Sequence, residues 1–561
     1  MTMPVISVNL ADFLELLGKD LPMSILRESL PMLGMAWERE SAEGFDVEVF
    51  PNRPDMFSTE GLARAFAGFM GLDVGLPRYE AYDAGHRATV DAAVKAVRPY
   101  AVFSVVKGLQ LTDTSLISIM ELQEKLHVSY CRNRRKGSIG VYDAGKVVLP
   151  LTYTAKEKEF SFVPLDFSTR LSLAEVLQKH PKGVEYGHIL AGHDLYPILM
   201  DSLGTVLSMP PIINSENTRV TAETQSVVVD VTGLDWRTIN MVLNIMVCAL
   251  AERHGKIEFV RANYEYALEP GREPVTPDLS PRRRKLELKA VEKLLGLNLT
   301  AQQVGSLLER MRYGAVVGEA GSLLVSIPPY RADIMHPVDL VEDVAIAYGY
   351  GSFTPMIPAI STIGGEEPLE LFSRQVRELL VGFGYQEVVT YVLTSPTTLF
   401  EKMRLPRAPL AEIQNPQTRE YTVCRSWLLP SLVEVLSRNK HHGLPQRIFE
   451  VDDTVELDDS EETGTRTVRK LAVASTHSKA DLSEVKAVAD SLLKALGLES
   501  RVEPGSHPSF LAGRFGLIKA AGEEVGFLGE LHPETILSFQ LENPVASMEI
   551  DLGRLWRLRR G

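Results

Sequence analysis

The stretch RADIMHPVDLVEDVAIAYGY, Arg331–Tyr350, carries four carboxylates within eleven residues and then continues as an apolar helical pattern. Pro337 suits the first turn of a helix, where its missing N–H is not needed. At about 100° per residue, Asp339, Glu342 and Asp343 then share one arc of ~100°, with Asp333 on the non-helical approach. All-oxygen ligands of this kind suit Mg²⁺, which takes few protein carboxylates and keeps several waters. Acids in a first helical turn also oppose the helix dipole, a gain of about 0.3–1 kcal/mol each that needs no metal. Spacing leaves both readings open.

Upstream of this stretch, KLELKAVEKLLGL and TAQQVGSLLERMRYG repeat apolar residues at helical spacing, and SLLVSIPPY reads as a strand. These predict a helix-rich module over residues 271–356. Before it lies LEPGREPVTPDLSPRRRK, 268–285, with five prolines or glycines, the clearest linker in the chain. The first ~88 residues alternate VISVNL, ADFLELLGKDL, MSILRESLPMLG, FDVEVFP and TEGLARAFAGFMGL, which predicts a small α/β domain. A polar, Ala-rich segment at 83–98 reads as a connection into an α/β domain over 89–270. Beyond FTPMIPAISTIGGEEP, residues 357–561 carry the helix LELFSRQVRELLVGFG and the strands QEVVTYVLT, QRIFEVDDTVEL, RKLAVAST, FGLIKA and SMEIDL. Strands interrupted by helices in this way predict an antiparallel α+β domain. The fold class expected is therefore multidomain α+β.

With 45% hydrophobic and 24% charged residues, the 561-residue chain reads as an ordinary globular protein too long for one core. No apolar run approaches the ~20 residues that span a bilayer. The start, MTMPVISVNLADFLELL, has no basic leader and apolar block, so a cytoplasmic protein is expected. Cys131, Cys248 and Cys424 are far apart and read as reduced thiols. A net charge of −14 argues against indiscriminate nucleic-acid coating. CRNRRKG, PRRRK, RNKHH and RLWRLRR are local basic patches that suit either a solvated surface or a phosphate backbone.

Two further stretches bear on chemistry. In NRPDMFSTEGLARAFAGFMG two prolines clamp a turn, and Ser58 is placed to cap the following helix. In LSMPPIINSENT the paired prolines exclude a central strand, leaving a rigid polar loop with Ser208, Asn214, Ser215, Glu216 and Thr218. Such a loop suits a site wall or an ordinary exposed turn. The chain has no GxxxxGK[ST], HExxH or GxSxG, so P-loop, zincin and α/β-hydrolase chemistries have no direct support.

NRPDMFSTEGLARAFAGFMG, GVEYGHIL with LSMPPIINSENT, RADIMHPVDLVEDVAIAYGY, and QRIFEVDD, HPSFLAGRFG and LGELHPE occur in an order that resembles the β subunits of phenylalanyl-tRNA synthetase of the archaeal and eukaryotic type. The resemblance spans nearly the whole chain. It implies a small N-terminal α/β domain, an α/β editing domain, a helix-rich winged-helix-like domain and a C-terminal class II synthetase-like core that is catalytically silent. The Gly-rich, arginine-terminated third motif of an active class II site is missing here, and Arg447-Ile-Phe-Glu450 only loosely echoes the second. The implied partners are tRNA(Phe) and an α subunit that handles phenylalanine and ATP, in an (αβ)₂ heterotetramer with no membrane. The resemblance assigns Mg²⁺ to Asp333, Asp339, Glu342 and Asp343. It places Ser208 and Asn214 in an editing pocket with Leu199 as an apolar wall and Glu216 nearby, for hydrolysis of misacylated Tyr-tRNA(Phe). A stand-alone Mg²⁺-dependent hydrolase and a scaffold with a decayed editing loop are the competing classes.

Overall fold

Period-two apolar residues pair the start of the chain with a later segment. Ile6 and Val8 of the strand Val5–Asn9 and Phe45, Val47 and Val49 of Gly44–Val49 are buried, and the two strands run antiparallel with Met35–Glu40 on the far side. Ser58 caps the helix Thr59–Phe69, accepting from the Gly61 N–H at 3.2 Å. That helix is buried all round. A Cβ on Gly61 would lie 1.8 Å from the Asp55 carbonyl oxygen, so the Pro54–Met56 turn packs directly on helix backbone. The buried Glu60 is neutralised by Arg253 at 2.7 Å, which also takes both oxygens of Asp12.

In the computed structural model, residues 3–268, 271, 273–319 and 321–560 are described. The chain divides into two units, Met1–Ile357 and Pro358–Gly561. The first is dominated by a ten-stranded mixed sheet. Its strands run in the order Ile213–Asn214, Val206–Met209, Leu195–Met200, Leu151–Glu157, Ala81–Val90, Lys256–Tyr264, Tyr100–Lys107, Ser226–Gly233 and Gly137–Asp143, with Val275–Thr276 joined to Lys256–Tyr264. The helices Trp236–Ala251 and Asp113–Val128 contribute Val242, Met246, Ile119 and Leu122 to the apolar core they share with Val229 and Val231.

The segment expected as a polar connection is instead the strand Ala81–Val90, parallel to both neighbours and running across the junction expected at 88/89. Its polar residues are accommodated by cross-strand pairs. His86 lies 2.7 Å from Glu258, and Arg261 lies 2.7 Å from Asp83. Part of the expected linker is also structured: Thr276 exchanges two hydrogen bonds with the backbone of Phe103, and Arg282–Glu287 is a strand. Glu269, Pro270 and Arg272 of that linker lie outside the described residues. Arg282–Glu287, Ser322–Ile327 and Gly314–Val317 form a three-stranded sheet alongside the helices Leu288–Leu295, Ala301–Arg310 and Pro337–Tyr348.

The second unit is a seven-stranded sheet, antiparallel except at the edge where Gln386–Glu387 runs parallel to Gln446–Leu457. Helices Pro368–Gly382 and Leu482–Ala495 bury Phe372, Val376, Val485 and Leu492 in one core with the sheet residues Leu471 and Val473. The expected strand QEVVTYVLT is broken into Gln386–Glu387 and Leu393–Thr394. Between them the Thr390 N–H is donated to the buried Glu450 side chain rather than to a neighbouring strand.

Candidate functional site

The ten-stranded sheet curls until its two ends meet. Tyr142, on the last strand, places its hydroxyl 2.7 Å from Ser208 Oγ near the opposite edge, and Asn214 Nδ2 donates to the Val141 carbonyl at 3.4 Å. A cavity of about 420 Å³ opens at this closure. Its walls come from the helix Asp113–Val128 (Met120, Glu124, His127), the strand ends (Tyr142, Asp230, Ser208) and the Pro210–Asn214 turn. Ser208 and Asn214 face each other in register across the turn between them, with Ser208 buried toward the floor and Asn214 half-buried at the rim.

The floor is a short polar chain. Tyr142 donates to Asp230 Oδ1 at 2.5 Å, and its hydroxyl also meets Ser208. Asp230 pairs in register with Gly140, where a Cβ would lie 1.9 Å from the Tyr142 hydroxyl and 2.2 Å from Asp230 Oδ1. Glycine at 140 is therefore a condition for this contact. Burial pushes the Asp230 carboxyl up to about 7, against the opposing pull of the Tyr142 hydrogen bond and the Arg98 charge. Burial likewise raises the Tyr142 hydroxyl well above its ordinary value, so it stays protonated.

On the helix side, His127 Nε2 accepts the Ile139 N–H at 2.8 Å, and Nδ1 lies 3.3 Å from Glu124. Burial brings the imidazole down to about 4. Neutral and with both nitrogens engaged, it is an anchor for the wall rather than a free base. Glu124 is drawn down to about 2 although burial opposes it, because His127 and Arg134 favour its charge.

Leu199 and Glu216 do not line this cavity among the described residues. Leu199, opposite Ser208 in register, is fully buried in an apolar cluster with Tyr142, Phe103 and Tyr153. Glu216 accepts the Asp166 N–H at 2.9 Å and pairs with Arg219, so it braces the loop that supplies Asp166 to the lining. Sequence reading missed Tyr142, Asp230, Glu124 and His127, and took Arg134 only as part of the basic patch CRNRRKG. They fall in the region expected only as an α/β domain, with no local signal that singles them out.

The acidic cluster is arranged differently from the expectation. Arg331, fully buried, donates to both oxygens of Asp333, at 2.9 and 2.6 Å, and to Asp343 Oδ2 at 2.6 Å. Tyr313 also donates to Asp343, and the guanidinium lies over the Tyr313 ring. Asp339 accepts the N–H groups of Met335 and His336 at 2.7 and 2.6 Å, the dipole-opposing cap of its helix. Among the described residues no three such acids converge as a metal group. The expected Mg²⁺ on Asp333, Asp339, Glu342 and Asp343 together does not fit, because a guanidinium stands between two of the acids and backbone donors occupy a third. Glu342 remains exposed, its carboxyl raised by partial burial and then by the charges of Asp343, Asp333 and Asp339. A carboxyl raised in the fold costs stability as pH climbs past its ordinary value of 4.5. Glu342→Gln is therefore expected to raise the melting midpoint at pH 7.5 and not at pH 4; equal midpoints at both would show that no acid repulsion remains there.

The comparisons with known proteins agree on one class. Residues 284–350 match the family described as tRNA synthetase B5 domain, and residues 354–552 match the phenylalanyl tRNA synthetase beta chain CLM domain. The phenylalanine–tRNA ligase beta subunit of Archaeoglobus fulgidus is 43% identical over 98% of this chain and 98% of its own length. That of Pyrococcus abyssi is 42% identical over 99% and 100%. A crystal structure of an N-terminal fragment of the phenylalanyl-tRNA synthetase beta subunit from Pyrococcus horikoshii, 40% identical, is matched with a TM-score of 0.59 over 62% of this chain and 100% of that one. The chain belongs to the phenylalanine–tRNA ligase beta-subunit family. No helix among the described residues is long and apolar enough to cross a membrane.

Proposed function

We propose that this chain supplies the proofreading site and the scaffold of an enzyme that charges tRNA(Phe), while an α subunit carries aminoacylation. The observation that supports this best is the cavity at the sheet closure, whose floor presents Asp230, Tyr142 and Ser208 to an otherwise partly apolar pocket. A tyrosine side chain brings a phenol hydroxyl to such a floor; a phenylalanine ring brings nothing to pair with it. Sites that hydrogen-bond a hydroxyl discriminate against the analogue lacking it by about 10⁴–10⁵, far more than an apolar pocket achieves by size. Asn214 at the rim would orient the ester and a water, and Ser208 at the floor would meet the phenol hydroxyl, with no protein nucleophile. Leu199 would back the pocket and Glu216 would hold the Asp166 loop.

The second unit supports the silent-core reading. Arg447, the nearest counterpart of an ATP-binding arginine, is committed to Glu484 at 3.0 Å. Glu450 is buried and holds Arg425 at 3.0 Å and Thr390 at 2.8 Å. In this reading the chain comprises an N-terminal domain, an editing domain, a winged-helix-like domain and a synthetase-like core, and works in the cytoplasm within an (αβ)₂ heterotetramer. ATP and the Mg²⁺ that accompanies it belong to the α subunit's reaction.

Asn214→Ala in the reconstituted complex is expected to slow hydrolysis of tyrosyl-tRNA(Phe) about tenfold or more, the cost of one lost orienting hydrogen bond. Phenylalanine charging should be unchanged. Equal deacylation rates in the two complexes would remove Asn214 from the mechanism.

A further inference from the structure

In CRNRRKG the residues Arg132, Asn133 and Arg134 stand in succession at φ 50°, 53° and 62°. Left-handed backbone costs an L-residue about 1–2 kcal/mol, and three in a row persist only where the surroundings over-determine them. The turn is anchored by the end of the helix Asp113–Val128, with the N–H groups of Arg132, Asn133 and Arg134 donated to the carbonyls of Ser129, Val128 and His127. Arg132 and Arg135 are exposed, whereas Arg134 is turned inward and is 5% exposed.

Inside, the Arg134 guanidinium donates to the carbonyls of Ile212 at 2.8 Å and Pro211 at 3.3 Å and to Glu124 at 2.5 Å. It lies over the Tyr186 ring at 4.4 Å, and Arg98 donates to the Arg134 carbonyl at 3.2 Å. The segment it grips is short of bonds of its own, because Pro210 and Pro211 have no N–H to donate. One planar fork thus ties two successive carbonyls of the cavity wall to the helix opposite. An ammonium is a point charge on a flexible stem and does not reproduce that geometry.

We propose that Arg134 is the positioning residue of the editing site. It fixes the Pro211–Asn214 wall and so sets where Asn214 stands relative to the ester. This rests on the proofreading reading above.

The test uses the αβ complex with Arg134→Lys and Arg134→Ala. Both are expected to lower kcat for tyrosyl-tRNA(Phe) deacylation by about 10- to 100-fold with KM within about threefold, while phenylalanine charging holds. Arg134→Lys keeps a cation beside Glu124 and so preserves the fold if the alanine variant loses it. Methylguanidinium should restore kcat to Arg134→Ala, and methylammonium at the same ionic strength should not. Unchanged kcat, a loss in KM alone, or equal rescue by both cations would overturn the proposal and leave proofreading intact. A wild-type complex that does not deacylate tyrosyl-tRNA(Phe) would instead defeat the proofreading reading itself.

Discussion

Asp230→Ala in the complex is expected to lower tyrosyl-tRNA(Phe) deacylation by on the order of 100-fold, the roughly 2–3 kcal/mol carried by a hydrogen bond to a charged group. Phenylalanine charging should be unaffected if, as proposed, that reaction takes place on the α subunit. Asp230→Asn makes the sharper comparison. It keeps the shape of the floor and its contact with Tyr142 but removes the charged acceptor, so the rise in deacylation expected through pH ~7 in the wild type disappears. The same substitution has a stability signature. The folded carboxyl sits at about 7, above its ordinary 3.8. Between those values the folded chain holds a proton that the unfolded chain has released, so wild-type stability falls as pH rises across the window. Asp230→Asn removes that slope. Urea denaturation at pH 5 and pH 8 measures it; a wild type with no slope relative to Asp230→Asn would mean that the carboxyl is not held protonated.

Arg331→Ala is expected to destabilise the first unit by about 3–5 kcal/mol, because it leaves carboxylates buried without their counter-charge. Asp333 is held below the ordinary carboxylate range although burial opposes it, chiefly by the charge of Arg331 and its hydrogen bond. Removing the guanidinium also opens the space between Asp333 and Asp343. The alanine variant should therefore gain thermal stability when millimolar Mg²⁺ is added, whereas the wild type should not. Magnesium-dependent stabilisation of the wild type that is lost in Glu342→Gln would reverse the assignment and return the cluster to the metal. The measurement is a melting curve with and without chelator, independent of aminoacylation.

How far these sites were legible in advance differs for a physical reason. The helix Pro337–Tyr348, the cap at Ser58 and the helix Pro368–Gly382 follow from local rules: proline at a first turn, a hydroxyl before an apolar run, apolar residues at helical spacing. Asp339 as a dipole-opposing cap follows in the same way. Arg331 as the counter-charge does not. It lies in the quoted stretch, but nothing in the spacing says that its side chain turns inward beneath Tyr313 rather than outward to solvent. The strand Ala81–Val90 was missed because its polar residues are matched by partners far along the chain, which no window of local composition contains.

What the sequence by itself determined is the family and the helices with local signals; the expected polar loop is instead a hairpin, with Ser208 in the strand Val206–Met209 and Asn214 in Ile213–Asn214, because the two prolines fall in the turn between them. The tertiary structure alone decided what faces that turn. Curling of the ten-stranded sheet brings Tyr142 to Ser208 across 66 residues of chain, strand pairing sets it against Asp230 across 88, and a left-handed turn delivers Arg134 to carbonyls 77 and 78 residues away. Closure of a sheet depends on pairing between distant strands, so side chains that are unremarkable in their own segments become neighbours only once the ends meet.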